Sequence, residues 1–529
     1  MKFLNETENK KEELNRSLKL IAKSSFIVLI GLIISKILGY VYRILIARYF
    51  SPEVYGLFNL ALAISSFLIS IFSFGFSEGL LRFIPLLRAK KKQNEINYLI
   101  KRTRDIYIIF GIISTFLLFF FSDFISNQIF HNASLTIFLK IMSANIFISL
   151  LLYIYLGSIR AYEKISWYSG IFNIFQNVAR VGVLVILIIL GIRSNGSIIV
   201  WSWVIASFLT LIVSYAVCRH EIKEIFKKYK KQDYSKLNKE FFAYSWPIIF
   251  YSVIGLLLYW IDTFSLGVYK SSLEVGIYNA AVPIAALIGI VPELFMQIFF
   301  PMISREYSNK NYKIIEQLSK QVTKWIFMVS LPLFILIFFF PGAALNLLFG
   351  EEYLPAENAL RILLIGTFIS ALFAVCNNLI SMLGKSKLVL FNIAFAALMN
   401  LVLNSILVPL PRIFLLDNSN GMIGAATATL ISILFLNALF IFQTKKYLSF
   451  IPLKRKMINI LIISVIATAM LFYFRSVAYL SIINILLISM LFVLIYSILL
   501  LVSKSLDEND WMIIKAVWRK AKGYKKIGK

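Results

Sequence analysis

One feature repeats along the whole sequence: apolar runs of about 20 residues, separated by short polar connections. At 1.5 Å per residue, a helix of this length crosses the roughly 30 Å hydrocarbon layer of a bilayer. Runs such as 183–190 and 334–340 are continuously apolar, whereas a membrane β-barrel alternates apolar and polar residues. The chain is therefore predicted to be an all-α integral membrane protein with about fourteen transmembrane helices.

Composition supports this interpretation, because 60% of the 529 residues are hydrophobic and only 15% are charged. Soluble domains carry roughly 25% charged residues. We place the spans at 20–47, 57–81, 105–127, 135–158, 166–191, 198–217, 241–266, 278–300, 322–349, 358–383, 388–409, 421–443, 457–474 and 480–503.

The net charge of +28 comes from basic residues grouped in alternate connections and at both ends. Basic residues accumulate on the cytoplasmic side of membranes, so we expect a plasma-membrane protein with both termini in the cytoplasm. The charges form no single patch, and nucleic acid is not an expected partner. The basic C-terminal tail is expected to contact membrane lipids.

Two halves of the sequence resemble one another. Residues 55–59 recur 220 positions later as 275–279, and the Asn-Gly pair at 195–196 recurs 225 positions later at 420–421. These similar offsets predict two six-helix lobes related by a parallel pseudo-two-fold repeat, plus two extra C-terminal helices. Such lobes suit a transporter that works by alternating access.

The repeat and the charge clusters define a domain organisation. Six segments are predicted: a cytoplasmic basic tail at 1–19, an N-lobe at 20–217, a cytoplasmic linker at 218–240, a C-lobe at 241–443, two further helices at 457–503, and a second basic tail at 504–529.

Polar groups within the spans are candidates for a substrate-binding cavity, because an ionisable group at mid-bilayer costs about 2.5 to 3.5 kcal/mol. Several share a helical face at spacings of three and four residues. The predicted cavity residues are Lys36, Tyr40, Arg43, Lys140, Asn173, Gln176, Asn177, Arg180 and Tyr259. In the alternative interpretation, the amides bond helix to helix and the cations reach the interface; we favour helix-to-helix bonds for Asn392, Asn400 and Asn404.

A cationic cavity indicates an anionic substrate. Guanidinium groups bind phosphate through paired hydrogen bonds, and amide and tyrosine side chains suit sugar hydroxyls. The combination favours a phosphorylated glycan.

Three acidic residues are assigned to gating or coupling: Asp262, Glu78 and Glu293. Asp262 and Arg43 lie at similar distances before the repeated glycines, so we expect an ion pair between them when the outer side is closed. Alternatively, each bonds within its own lobe. For Glu78, a local pair with Arg82 is expected. The coupling ion, H⁺ or Na⁺, stays open.

No enzyme, metal or cofactor site is predicted. Cys218 and Cys376 are far apart, the two histidines lie in separate connections, and Glu351-Glu352 lacks a partner for catalysis. The sequence Gly-Lys-Ser at 384–386 lacks the leading glycine of a phosphate-binding loop.

Several segments resemble a known family. Residues 43–48, 55–58, 74–76 and 80–83 resemble the opening of the polysaccharide exporters of the multidrug/oligosaccharidyl-lipid/polysaccharide superfamily. Residues 383–387, 400–409 and 421–426 are similar to that family's C-terminal half, so the resemblance covers about 20–445.

The resemblance implies a flippase, such as the Wzx-type O-antigen flippases, in which Lys36 and Arg43 would correspond to cavity cations. Its substrate would be a polyprenyl-linked oligosaccharide moved from the cytoplasmic to the outer leaflet, with other polysaccharide assembly proteins as further partners. A lipid II-type flippase and a cation-coupled multidrug exporter are the alternatives, because fold does not decide substrate.

Overall fold

A computed structural model describes residues 30–191, 196–230, 232–477, 482–503, 505–507 and 510. The helices are α1 Ile30–Tyr49, α2 Pro52–Phe72, α3 Phe76–Ala89, α4 Gln93–Phe124, α5 Leu135–Ala161, α6 Ile165–Ser169, α7 Gln176–Ile189, α8 Ile198–Glu221, α9 Ser235–Tyr269, α10 Ser272–Ser308, α11 Tyr312–Phe339, α12 Pro341–Leu348, α13 Glu357–Met382, α14 Ser386–Leu407, α15 Met422–Leu448, α16 Lys456–Val477 and α17 Ile482–Val502.

Shorter elements join these helices. π-helical turns cover Ile125–Ile129 and Gly170–Phe175, and 3₁₀ turns cover Lys223–Phe226 and Glu351–Ala356. Strands β1 (Arg412–Ile413) and β2 (Leu416–Asp417) pair antiparallel.

The predicted all-helical membrane fold is confirmed. Twelve helical segments in the described ranges are long and apolar enough to cross a bilayer, and α16 and α17 carry two shorter apolar stretches, Lys456–Ala469 and Leu487–Val502. The start of the predicted first span, 20–29, and most of the C-terminal tail lie outside the described residues.

Two predicted spans are each broken into two helices. The second span is interrupted between α2 and α3, where Phe74 and Gly75 have φ angles of 48° and 63°. A Cβ on Gly75 would lie against the carbonyl oxygen of Ser245, so the turn needs glycine for space as well as for φ. The ninth span breaks before Pro341, which restricts the preceding residue and begins α12.

Contacts divide the described chain into two compact units. The first consists of the described residues within Met1–Pro283, Leu348–Ala356 and Ile393–Thr429, and the second of those within Ile284–Leu347, Glu357–Asn392 and Leu430–Lys529. The predicted lobes, 20–217 and 241–443, stay a prediction.

Within the first unit, the repeated segments have matching local structure. The side-chain amide of Asn59 donates to the carbonyl of Tyr55, four residues earlier, at 2.7 Å. Asn279 donates in the same way to Val275 at 2.9 Å. The 220-residue offset in the sequence therefore corresponds to equivalent bonds in α2 and α10.

Within the second unit, α16 and α17 pack against α11. Apolar side chains of the three helices, including Leu331, Ile460 and Phe492, form one buried cluster. The interior side of the two added helices is therefore joined to the helical bundle through α11.

An ionic cluster near these helices involves Lys324, whose side chain is completely buried. Its ammonium group donates to Asp510 at 2.5 Å and to Asp507 at 3.1 Å. Lys454 and Lys456 also pair with Asp507. The segment after α17 is thus fixed to α11 by charge, which the basic character of the C-terminal tail did not indicate.

Candidate functional site

Arg43 lies at the centre of a polar chain between α1, α2 and α10. Its guanidinium donates to the hydroxyl of Tyr55 at 3.4 Å, and that hydroxyl donates to the carbonyl of Asn279 at 3.4 Å. The Asn279 carbonyl lacks a helical partner because Pro283, four residues on, has no N–H. The proline therefore creates an acceptor that Tyr55 satisfies.

Tyr40 extends the same contact one turn along α1. Its hydroxyl donates to the carbonyl of Pro283 at 2.7 Å. Tyr259 of α9, half of whose surface is exposed, lies within electrostatic range of both Tyr40 and Arg43. The structure thus brings together three of the predicted cavity residues.

Arg180 adds a second guanidinium group. Its centre lies 3.6 Å from the centroid of the Trp203 ring on α8, a cation–π contact. Its buried Nε has no hydrogen-bond partner among the described groups, and Arg180 lies within electrostatic range of Arg43. Trp203 was not predicted as a site residue, because nothing in the sequence relates it to Arg180.

The amides near Arg180 are buried between helices. Asn177 donates to the hydroxyl of Ser35 on α1 at 3.0 Å and to the carbonyl of Asn173 at 2.9 Å. Asn173 donates to Ser169 at 3.1 Å, and Gln176 is also buried. These bonds match the alternative interpretation, in which the amides join α1 to the fifth span, and a cavity role for them stays a prediction.

The other two predicted cations are Lys140 and Lys36. Lys140 pairs with Asp123 of α4 at 2.9 Å, and its ammonium lies 5.8 Å from the centroid of the Phe119 ring. Lys36 is exposed on α1. A cavity role for Lys36 and Lys140 stays a prediction.

Asp262 is buried among neutral donors from three helices. It accepts from Tyr278 of α10 at 2.5 Å, from Asn404 of α14 at 3.0 Å and from Thr429 of α15 at 2.7 Å. In the part of the chain that the structure describes, no cation pairs with it. In this structure Asp262 and Arg43 each bond to other partners, and their ion pair in the state with the outer side closed stays a prediction.

The surroundings of Asp262 are rich in side-chain oxygen. Asn404 donates to Asn400 at 2.8 Å, and Asn400 donates to Thr429 at 3.2 Å. The Asn404 side-chain oxygen is buried without a partner among the described groups. The helix-to-helix bonds expected for these two asparagines are therefore present, to α9 and α15, but the sequence alone does not connect them to Asp262.

Asn392, the third asparagine of this span, has a different role. It exchanges two hydrogen bonds with Gln443, at 2.8 and 3.0 Å. For this residue the expected helix-to-helix bond is confirmed.

Glu78 lines a cavity of about 200 Å³ beside the break between α2 and α3. It pairs with Arg160 of α5 at 3.6 Å, while Arg82 lies 4.2 Å from the ring centroid of Tyr244. The predicted Glu78–Arg82 pair is therefore wrong: tertiary neighbours compete successfully with the residue one turn away. Glu293 is exposed on α10.

Comparison with known families gives the identity of this architecture. Residues 21–307, more than half of the chain, match the polysaccharide biosynthesis protein family. The chain belongs to this family. Residues 247–406 also match the MatE family, and the resemblance to the superfamily that includes both is confirmed.

Individual relatives are consistent with this family match. A Shigella flexneri protein assigned as an O-antigen transporter is 24% identical over 354 residues, covering 65% of this chain and 80% of the relative. A Haloferax volcanii protein assigned as a flippase of low-salt glycan biosynthesis is 25% identical over 195 residues, covering 37% and 39%.

A solved structure shares the fold. The lipid II flippase MurJ, in an inward closed conformation, superposes with a TM-score of 0.71 at 18% identity, covering 90% of this chain and 98% of MurJ. At this identity the likeness concerns the fold alone.

In this member of the polysaccharide biosynthesis protein family, the candidate site contains two chemically different groups of residues. Arg43 and Arg180, with Tyr40 and Tyr259, offer guanidinium and hydroxyl donors suited to an anion. Asp262 offers a buried negative charge whose partners are all neutral, a state that favours a bound proton or cation.

Proposed function

We propose that this protein is a flippase that moves a polyprenyl-(pyro)phosphate-linked oligosaccharide from the cytoplasmic to the outer leaflet by alternating access. It would act in the plasma membrane with both termini in the cytoplasm, supplying surface polysaccharide or glycan assembly. The observation that carries the proposal is the pair of guanidinium groups, Arg43 and Arg180, held near one another among tyrosine hydroxyls in a family of polysaccharide biosynthesis proteins.

The chemistry of the site supports a phosphate-bearing substrate. Arg43 and Arg180 lie within electrostatic range of one another, so a polyanion between them would offset the two like charges while forming charge-assisted hydrogen bonds. The partnerless Nε of Arg180 is a donor available for that purpose. The exposed ring of Tyr259 offers a hydroxyl for the glycan.

Energy coupling would involve Asp262. A carboxylate buried among three neutral donors carries an uncompensated charge, which a proton or Na⁺ would neutralise. The unpartnered oxygen of Asn404 and the hydroxyl of Thr429 would complete a site for Na⁺. Cation release and binding would then change the bonds that join α9 to α10, α14 and α15.

The direct experiment is leaflet accessibility of a polyprenyl-pyrophosphate oligosaccharide in proteoliposomes. Loss of one charge-assisted bond of about 1.5 to 3 kcal/mol predicts at least a roughly tenfold slower exposure for Arg43→Ala and for Arg180→Ala. Arg361→Ala is the matched control, since that arginine pairs with Glu357 on α13. Equal rates in all four proteins would reject the proposed substrate site.

A second candidate is a cation-coupled multidrug exporter, favoured by the MatE match and by the buried Asp262. A lipid II-type carrier is a third, favoured by the MurJ fold. Cation-driven efflux of a cationic dye with no exposure of glycan lipids would support the exporter. Exposure of lipid II alone would support the lipid II-type carrier.

A further inference from the structure

A groove of about 570 Å³ lies at the end of α8, away from the arginines of the proposed substrate site. Its volume falls within the roughly 300 to 1,000 Å³ of small-molecule sites. The lining residues are Tyr215, Ala216, Arg219, His220, Lys223 and Phe226.

The groove continues an exposed apolar face of α8. Trp201, Phe208, Ile212 and Tyr215 follow one another at helical spacing and are 38 to 50% exposed. The opposite face of α8 packs against α5 and α7. In a membrane, the exposed face contacts acyl chains, and Arg219 follows Tyr215 by one turn on the same face.

The wall of the groove is built by the turn that follows α8. The 3₁₀ turn Lys223–Phe226 is fixed by Ile225, which is 2% exposed. This brings the ring of Phe226 to 5.5 Å from that of Tyr215, at an interplanar angle of 83°. The groove is therefore a packed feature of the fold, with an aromatic pair on one side.

The charge of the groove is positive. Two carboxylates lie on this segment: Glu221 pairs with Lys164 at 2.9 Å and contacts His220 at 3.2 Å, and Glu224 is an exposed residue of the 3₁₀ turn that does not line the groove. Among the described residues, neither Arg219 nor Lys223 has an ion-pair partner. Two cations are thus available where the apolar face ends.

We propose that this groove binds the head group of an anionic phospholipid, with the acyl chains along the exposed face of α8. Guanidinium and ammonium groups bind the phosphate, and the aromatic pair lies at the level where tyrosine rings favour the membrane interface. The site faces the bilayer and is separate from the flippase substrate site.

The test is native mass spectrometry of the full chain released from nanodiscs that contain phosphatidylglycerol or phosphatidylcholine. One retained phosphatidylglycerol per protein is expected, and at least a fivefold lower occupancy in R219Q/K223Q. K227Q/K228Q is the matched control, because it removes the same charge from the same segment outside the groove. Its occupancy is expected to equal that of wild type.

A second variant distinguishes a specific phospholipid site from general electrostatic attraction between the basic segment and anionic lipids. Ala216→Trp keeps every charge but fills the groove, and it is expected to lose phosphatidylglycerol as R219Q/K223Q does, with an unchanged melting temperature. Wild-type occupancy in Ala216→Trp, or equal losses in the two double variants, would overturn the proposal. Retention of polyprenyl phosphate in place of phosphatidylglycerol would also overturn it.

Discussion

Gly56 and Gly276, separated by 220 positions, meet where α2 approaches α10. A Cβ on Gly56 would overlap the carbonyl oxygen of Ser272, and a Cβ on Gly276 would overlap that of Pro52. The contact is reciprocal, because Ser272 and Pro52 are themselves related by the same offset. The glycines of the sequence repeat are therefore the positions at which two equivalent helices need close backbone contact.

Gly56→Ala is expected to separate α2 from α10, since backbone atoms cannot move aside as a side chain does. Overpacking of this kind typically costs about 1 to 3 kcal/mol. The melting temperature should fall, and a cysteine at Asn59, now buried, should react faster with a maleimide. Gly182→Ala is the control, because a Cβ there would meet nothing within 4 Å. Identical behaviour of the two variants would contradict the prediction.

Lys324→Ala is expected to weaken the attachment of the segment after α17. Removing the cation leaves Asp510, 3% exposed, without its main charge partner, and breaking a buried pair costs about 3 to 5 kcal/mol. Thermal or denaturant unfolding in detergent measures the change. Lys320→Ala removes a cation one turn away from a partly exposed pair with Glu316 and should cost about 1 kcal/mol or less.

Acid should release the same cluster. Burial alone raises the pKa of Asp507, but its bonds with Lys454, Lys456 and Lys324 outweigh burial and hold the pKa well below the ordinary 3.8. A lowered folded-state pKa contributes stability above the unfolded value, and that stability is lost as pH falls through the folded value.

The contribution of Asp507 to the melting temperature of wild type is therefore expected to be constant above about pH 5 and to decrease below about pH 4. Asp507→Asn should lower the melting temperature at neutral pH and reduce the difference from wild type in acid. A constant difference between the two proteins across this range would be inconsistent with the assigned cause.

Asp262→Asn is expected to abolish the dependence of transport on a cation gradient while leaving the protein folded. The substitution keeps the shape of the side chain but removes the charge that a proton or Na⁺ would neutralise. Transport rates with and without a Na⁺ or pH gradient measure the effect. Asp123→Asn removes the same charge from an exposed pair with Lys140, and a loss of gradient dependence there too would argue against a specific role for Asp262.

The sequence predicted features that depend on neighbouring residues. Helical spans follow from hydropathy, and the shared face of Tyr40 and Arg43 follows from their spacing of three residues. In the structure Tyr40 donates directly to the carbonyl of Pro283 in α10, and Arg43 reaches the same turn of α10 through the hydroxyl of Tyr55. The sequence repeat predicted two related lobes, and its first pair of segments makes equivalent side-chain bonds in α2 and α10.

Features that depend on distant residues were missed. Asp262 bonds to Asn404 and Thr429, which are 142 and 167 positions away, and no local pattern indicates such partners. Glu78 had a plausible partner within its own helix, but Arg160 from another helix reaches it. The close approach of Gly75 to the backbone of Ser245 again involves a residue remote in sequence.

The π-helical turn Gly170–Phe175 has a consequence for the length of the fifth span. A π turn holds one residue more than an α turn, and each α-helical residue rotates the following side chains by about 100°. Deleting one residue from this turn would leave a regular helix, yet Arg180 would rotate away from Trp203 while Tyr168 stayed in place. The extra residue of the π turn therefore sets the direction of the Arg180 side chain relative to that of Tyr168 at the other end of the span.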